Sequence, residues 1–183
     1  MTTCETKLSI LICSLEKRAG TLERLMQILK PQLSSDVEVR VNIDNGKKTI
    51  CLKRNELLLE SKGEYVCFID DDDIVPDYYV SEILEAIKTR PDAVGFIGEI
   101  QFRNGDTYEV EYKHGNPNLF NGKYLRSIWH LQPVKREIAL SLMYDDAKNR
   151  GQDRTYAKKL EPLIKSSVFI NKKMYHYYAD YNK

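Results

Sequence analysis

The chain has 183 residues, 42% of them hydrophobic, with 28 basic and 27 acidic side chains. That length suits one domain with a real core, and the balance excludes a disordered tail, a collagen-like repeat and a disulfide-dense miniprotein. No apolar run approaches the ~20 residues needed to span a bilayer, and Met1-Thr2-Thr3-Cys4-Glu5-Thr6 lacks the basic flank and apolar stretch of a signal peptide. The cysteines Cys4, Cys13, Cys51 and Cys67 form no CxxC pair, which points to a reducing, cytoplasmic compartment and away from zinc. The net charge of +1 conceals an asymmetry: residues 1–120 carry 15 basic and 21 acidic side chains, residues 121–183 carry 13 and 6. A sign split of this kind suggests halves that face different ligands, the alternative being ordinary surface charge unevenly dealt.

In chain order, Lys7 to Cys13 is a β-branched-rich apolar run, consistent with a buried strand. Leu22, Leu25, Met26 and Leu29 then recur at helical spacing until Pro31 stops the pattern. Val37 to Ile43 alternates as a strand and ends in the turn Asp44-Asn45-Gly46. A helix is expected from Ile50 to Ser61, with Gly63 as its C-terminal stop, and Tyr65 to Ile69 reads as a third strand. This strand–helix alternation predicts right-handed crossovers and a parallel sheet. Pro76 is expected to open a helix through Ile87, before a strand from Ala93 to Gly98 and a hairpin around Asn104-Gly105-Asp106. A loop from His114 to Gly122, helices over Val134–Leu142 and Asp153–Leu163, and a strand at Val168-Phe169-Ile170 complete the reading. The tyrosine-rich tail suits either a lid over the site or packing against the sheet.

The third strand runs straight into Asp70-Asp71-Asp72-Asp73. At ~4 Å and an effective dielectric of ~20, each like-charged pair costs about 4 kcal/mol before screening. The carboxyl end of a strand is where open α/β sheets bind ligands, and a Mg²⁺ or Mn²⁺ ion would relieve the repulsion. The alternative is a solvated acidic turn near a helix N-terminus. An EF-hand loop would need Gly and Glu where Val75 and Ser81 stand. A phosphatase of the haloacid dehalogenase type remains a minor alternative, since its Asp-x-Asp normally follows the first strand.

Four blocks carry a resemblance: Leu8 to Ser14, Asp44-Asn45-Gly46, Lys53-Arg54-Asn55, and Gly63 to Asp73. In order and spacing they resemble the nucleotide-sugar half of family 2 glycosyltransferases of the GT-A fold, over about residues 7–80. Gly151-Gln152-Asp153-Arg154 resembles, more weakly, that family's acceptor-side motif. The resemblance implies an α/β, Rossmann-like three-layer sandwich with a mostly parallel central sheet, one domain with a donor half (about 1–100) and an acceptor half (about 101–183). It implies a donor-binding set of Ser14, Arg18, Asp44, Arg54, Asp70 and Asp71, with Asp44 on a uracil-type base and Asp71 near the ribose. Asp72 is the implied main metal ligand and Asp153 the catalytic base of an inverting reaction. A base of that kind adds ~10²–10⁴-fold to the rate. Asp153 as a residue complementing a helix dipole is the alternative.

The sequence departs from the family pattern at Gln152, where Glu is usual, at Leu15, where an aromatic would stack on the base, and at Lys47. His176 is a candidate further metal ligand, or a hydrogen-bonded histidine of no such role. Trp129 and His130 are placed on the acceptor side with Gln152 and Arg154, although the indole equally suits the core. The expected activity is a metal-dependent, inverting transfer from a nucleoside-diphosphate sugar, UDP-type, to a hydroxyl acceptor. The basic final third, with Lys148, Arg150, Arg154, Lys158 and Lys159, favours an anionic acceptor such as nucleic acid, otherwise a glycan or protein. A nucleotidyltransferase-like enzyme and an inactive nucleotide-sugar-binding domain are the rivals.

Overall fold

A computed structural model describes residues 6–145 and 151–179. Its first strand, β1 (Leu8–Leu15), is buried along almost its whole length. Leu8, Ile10 and Ile12 enter one core cluster while Leu11 and Cys13 enter another. Alternate side chains of a strand point to opposite faces, so β1 is covered on both sides. It pairs in parallel with β2 (Val37–Asp44) and β3 (Tyr65–Phe68). The crossover helices take opposite faces. Leu25 and Leu29 of α1 (Ala19–Leu29), with Tyr79, Val80 and Ile83 of α3 (Tyr79–Ala86), fill the first cluster. Cys51, Leu57 and Leu58 of α2 (Ile50–Glu60), Ala139 of α4 (Arg136–Leu142) and Tyr156 and Leu160 of α5 (Gln152–Leu160) fill the second. The result is a three-layer α/β sandwich.

The sheet is more mixed than the strand–helix alternation predicts. With β4 (Ala93–Phe102), β5 (Thr107–Tyr112), β6 (Leu119–Asn121), β7 (Lys123–Arg126), β8 (Val134–Lys135) and β9 (Ser167–Ala179), its order is β2-β1-β3-β8-β4-β5-β7-β6, and β9 pairs with β4. Parallel pairing holds for β2-β1-β3, for β4 with β9, and for β5 with β7. Between β3 and β4 lies β8, antiparallel to both neighbours, with Val134 facing Val66 and Ala93. The residues expected to open a helix at Val134 therefore form a strand, and α4 starts at Arg136. Two residues are too few to show a period of two, which is why the sequence hid them.

Three other expectations change. The loop from His114 to Gly122 contains β6 (Leu119–Asn121), which folds back on β7 (Lys123–Arg126) around Gly122 at φ 70°. β5 (Thr107–Tyr112) pairs antiparallel with β4 and completes the expected hairpin. The last strand runs far beyond Ile170, to Ala179, because a register shift near Ile97 lets β9 bulge past Asn171 and Lys172 and rejoin β4 at Lys173. The tail tyrosines 175, 177 and 178 thus belong to the sheet, while Tyr181 lies outside the described residues. Gly63 does not stop α2. Its N–H donates to Ser9 Oγ at 2.8 Å, and an added Cβ would lie 2.5 Å from the backbone nitrogen of Ser9.

Candidate active site

The carboxyl ends of β1, β2 and β3 bring together Ser14, Asp44 and the acidic quartet. Buried Ser14 donates its hydroxyl to Asp71 Oδ2 at 2.5 Å, and Arg18 Nη1 donates to Asp71 Oδ1 at 2.7 Å. The same guanidinium nitrogen lies 3.6 Å from Asp72 Oδ2. From α2, buried Lys53 reaches under the site and donates to Asp44 Oδ1 and to the Ser14 carbonyl, each at 2.8 Å. The second oxygen of Asp44 accepts the Lys48 backbone N–H at 2.7 Å. The Lys48 N–H, followed by the Lys53 ammonium, holds the Asp44 carboxyl at about 2. Sequence reasoning placed Lys53 in a motif without a role. A lysine in an otherwise amphipathic helix gives no sign that it is buried until a carboxylate partner is seen.

A closed ring of four side chains, Arg54, Asp153, His130 and Asp70, lies beside this group. Arg54 Nη1 pairs with Asp153 Oδ1, and Arg54 Nη2 sits 3.6 Å from Asp70 Oδ1. On the opposite side His130 Nδ1 lies 3.3 Å from Asp153 Oδ1 and Nε2 lies 3.9 Å from Asp70 Oδ2. Neither His130 nitrogen meets hydrogen-bond geometry, so those two contacts are electrostatic. The Arg54 guanidinium is fixed over the rings of Tyr144, at 5.1 Å, and Phe68, at 5.5 Å. Tyr144 stacks on Tyr156 at 4.5 Å, and its backbone is clipped to Asn55 by hydrogen bonds of 2.7 and 2.9 Å. These contacts tie the first turn of α5 to α2. Burial alone pushes the Asp153 carboxyl up, but His130 and Arg54 outweigh it and hold the group below the usual carboxylate range. Asp70 behaves in the same way: burial opposes, while His130, Arg54 and Arg18 bring it to about 2. Both carboxylates are therefore ionised.

The two remaining members of the quartet differ. Asp73 is buried, accepts from Tyr175 Oη at 2.8 Å and from the Tyr178 N–H at 3.2 Å, and is pushed up to about 8 by burial and by the Asp70 charge. Asp72 keeps 18% of its side chain exposed, at the mouth of a cleft of about 460 Å³ lined with Arg24, Gln101, Arg103 and Tyr178. The Asp70 side chain is more exposed still, at 36%. The model of the family described as "Glycosyl transferase family 2" matches residues 10–160, spanning every residue of this ring and quartet. The chain belongs to glycosyl transferase family 2.

No curated protein sequence matches the chain. Among solved structures it is similar to S. aureus TarS, at 12% identity and a TM-score of 0.70 over 94% of this chain and 37% of that one. It is also similar to S. aureus TarS 1–349 in complex with UDP, at 13% identity and 0.73, and with UDP-GlcNAc, at 13% and 0.61. Those two comparisons cover 95% and 97% of this chain, against 61% and 60% of the TarS chains. The chain thus spans less than two thirds of each. At such identities the likeness shows the fold, a GT-A glycosyltransferase fold with its mixed sheet.

Of the residues expected to bind donor, Ser14, Arg18 and Asp71 are joined by hydrogen bonds, Asp44 is held by Lys53, and Asp70 and Arg54 lie beside them, with Asp153 paired to Arg54. His130 stands inside the ring. Trp129 stacks on Tyr112, with centroids 5.7 Å apart, and abuts His130 at 5.3 Å. Gln152 Oε1 is buried without a hydrogen-bond partner, whereas Arg154 points outward, exposed. His176 turns its ring toward β4, with Nδ1 3.0 Å from Glu99 Oε1 and Nε2 3.0 Å from Gln101 Oε1. Tyr175, Tyr178 and Asp73 were not singled out from the sequence as site residues. Their shared signal, an aromatic cluster near the chain end, has no visible link to a motif 102 residues earlier.

Proposed function

We propose that this chain transfers a sugar from a nucleoside-diphosphate sugar, UDP-type, to a hydroxyl acceptor with inversion, assisted by Mg²⁺ or Mn²⁺. The observation that carries the reading is the placement of Asp153, ionised and fixed by Arg54, beside the Asp70–Asp72 loop. Asp44, held as a carboxylate by Lys53, is an acceptor for a base N–H, and Asp71 with Ser14 suits ribose hydroxyls. Asp153 takes the proton of the acceptor hydroxyl as that oxygen bonds to the anomeric carbon and the bond to the diphosphate breaks. Arg18, within reach of Asp71 and Asp72, supplies positive charge beside the departing diphosphate.

Among the described residues no group of three or more His, Cys, Asp or Glu would hold a metal ion by itself. The site nevertheless fits one. A partly exposed carboxylate at Asp72 matches the way Mg²⁺ is held, by one or two carboxylates plus substrate phosphates and waters. Bound there, the cation would neutralise charge on the leaving diphosphate. His176 would complete such a site only after leaving Glu99 and Gln101, so it is a conditional ligand in this proposal. The polyanion reading of the acceptor retains Arg154, Lys158 and Lys159, exposed on or beside α5, while Lys148 and Arg150 lie outside the described residues.

The test needs no known acceptor. UDP-, GDP-, dTDP- and CDP-sugars are incubated with Mn²⁺ and donor hydrolysis is followed. One donor class, UDP by expectation, should be hydrolysed, and Asp72→Ala should remove the metal dependence of its binding. No hydrolysis of any donor would overturn the reading, and unchanged metal-dependent binding in the variant would overturn the role of Asp72.

A further inference from the structure

The buried face of α2 carries two adjacent cations among Cys51, Lys53, Arg54, Leu57 and Leu58. Arg54 closes the ring with Asp153 and Asp70. Lys53 reaches a different place, the carboxyl ends of β1 and β2, with only 4% of its side chain exposed. An ammonium at that depth is strongly disfavoured unless its protons find acceptors. Of its three protons, one goes to Asp44 Oδ1 and one to the Ser14 carbonyl, each at 2.8 Å.

Its effect on Asp44 is geometric as well as electrostatic. The Lys48 backbone N–H holds Oδ2 at 2.7 Å from one side, and Lys53 holds Oδ1 from the other. A carboxylate gripped at both oxygens cannot turn without losing a donor, yet it keeps unused lone pairs for a ligand. The Lys48 ammonium does not compete for it, being turned to Glu56 at 2.6 Å, and Glu56 also accepts from Asn42 at 2.7 Å. The Lys48 N–H and Lys53 together keep the Asp44 carboxyl at about 2, so at neutral pH it accepts hydrogen bonds and donates none. Lys53 also steadies the neighbouring strand end. Its second bond fixes the Ser14 backbone, and the Ser14 hydroxyl donates to Asp71 Oδ2 at 2.5 Å.

A fixed acceptor discriminates between pyrimidines. Uracil presents a ring N–H at N3, which an ionised carboxylate accepts. Cytosine presents a lone pair at the same atom, and it meets a carboxylate lone pair to lone pair unless a proton is placed between them. A carboxylate free to turn can reach the exocyclic amine of cytosine instead, or share such a proton. One held at both oxygens can do neither without breaking a bond it already has. We propose that Lys53 is the positioning residue that sets the base preference of the donor site, by locking Asp44 as an acceptor for an imide N–H and against a cytosine-type edge. The proposal rests on the nucleoside-diphosphate-sugar reading and adds to it the residue that enforces one base over another.

UDP and CDP are titrated calorimetrically, with Mn²⁺, into the wild type, Lys53→Met, Asp44→Ala and the double variant, which removes both charges at once. The wild type should favour UDP by about tenfold or more, the worth of one hydrogen bond to a charged group. Lys53→Met should reduce that preference by about tenfold. In the Asp44→Ala background the same substitution should change the ratio no further, because Lys53 acts through Asp44. Where the wild type hydrolyses UDP-sugar, Lys53→Met should raise KM with kcat within about twofold, since the Arg54–Asp153 pair is left intact. A UDP-to-CDP ratio that Lys53→Met leaves unchanged makes Lys53 a strut and overturns the proposal, whatever happens to Tm. So does a further change in the double variant, or a wild type that binds CDP as well as UDP or binds neither. Should Lys53→Met fail to fold, the double variant decides: a ratio different from that of Asp44→Ala alone refutes the proposal. A ratio that responds to Lys53 without any donor hydrolysis would sink the enzymatic reading alone.

Discussion

Asp153 is half-buried, which works against its charge, and yet its carboxyl is held below the usual carboxylate range. His130 and Arg54 supply the opposing field, and Arg54 is itself held over Tyr144 and Phe68. In the proposed reaction the base is therefore ready at neutral pH without a prior proton loss. A depressed pKa leaves it a weaker base, so its value lies in placement more than in proton affinity. Asp153→Asn keeps the shape and removes the proton acceptor. Turnover should fall by ~10²–10⁴-fold while calorimetric donor affinity is retained, and transfer persisting within tenfold of wild type would exclude the assignment. Arg54→Met tests the ring from its other side. With the fork gone, Asp70 and Asp153 face each other across His130 alone, and, because both keep contact with water, denaturant titration should show a loss of about 1–3 kcal/mol.

At the scale of elements, Gly63 shows how a right residue can carry a wrong reason. Its position after α2 suggests a left-handed C-terminal stop, but the helix ends at Ser61 with extended backbone. Gly63 is there because β1 passes within 2.5 Å of where a Cβ would sit. Gly63→Ala should cost about 1–3 kcal/mol by overpacking, read as a lower denaturant midpoint with donor binding unaffected; a midpoint equal to wild type would refute the steric account. The strands β1 and β3 were legible as unbroken apolar runs that are buried, and β2 by its alternating sequence although only Val37 of it is buried, and with them came the ends where Ser14, Asp44 and the quartet sit. β8 was not legible because it is two residues long, and β6 because three exposed residues carry no period. β9 was cut short at Ile170 because the exposed polar residues Asn171, Lys172 and Lys173 interrupt the apolar run before buried Met174 and Tyr175. Asp153 was found by resemblance alone, since nothing local tells a first-turn carboxylate that pairs across the molecule from one that merely caps its helix.

At the scale of the whole molecule, the end of the chain locks the quartet loop. The Asp70 N–H donates to Tyr175 Oη at 3.0 Å, Tyr175 Oη donates to Asp73, and Ile74 pairs with His176 through backbone hydrogen bonds of 2.8 and 3.1 Å. The loop thus rests on β9, whose Tyr175 and Tyr178 hydrogen bonds favour the charged form of Asp73 but are outweighed by burial and the Asp70 charge. Asp73 holds its proton up to about 8 in the folded chain, against an ordinary value of 3.8. Between those values the folded state binds more protons than the unfolded state, so stability falls as pH rises. The contribution of Asp73 is fully present below about pH 4 and is lost as pH climbs through about 8. Asp73→Asn keeps an acceptor for the Tyr178 N–H and cannot ionise. In metal-free buffer from pH 5 to 9, the Tm of the variant should gain on that of the wild type up to about pH 8, and stay level above it. A constant Tm difference across the whole range would show instead that Asp73 is folded as a carboxylate, paired in a way that Tyr175 and Tyr178 alone do not provide.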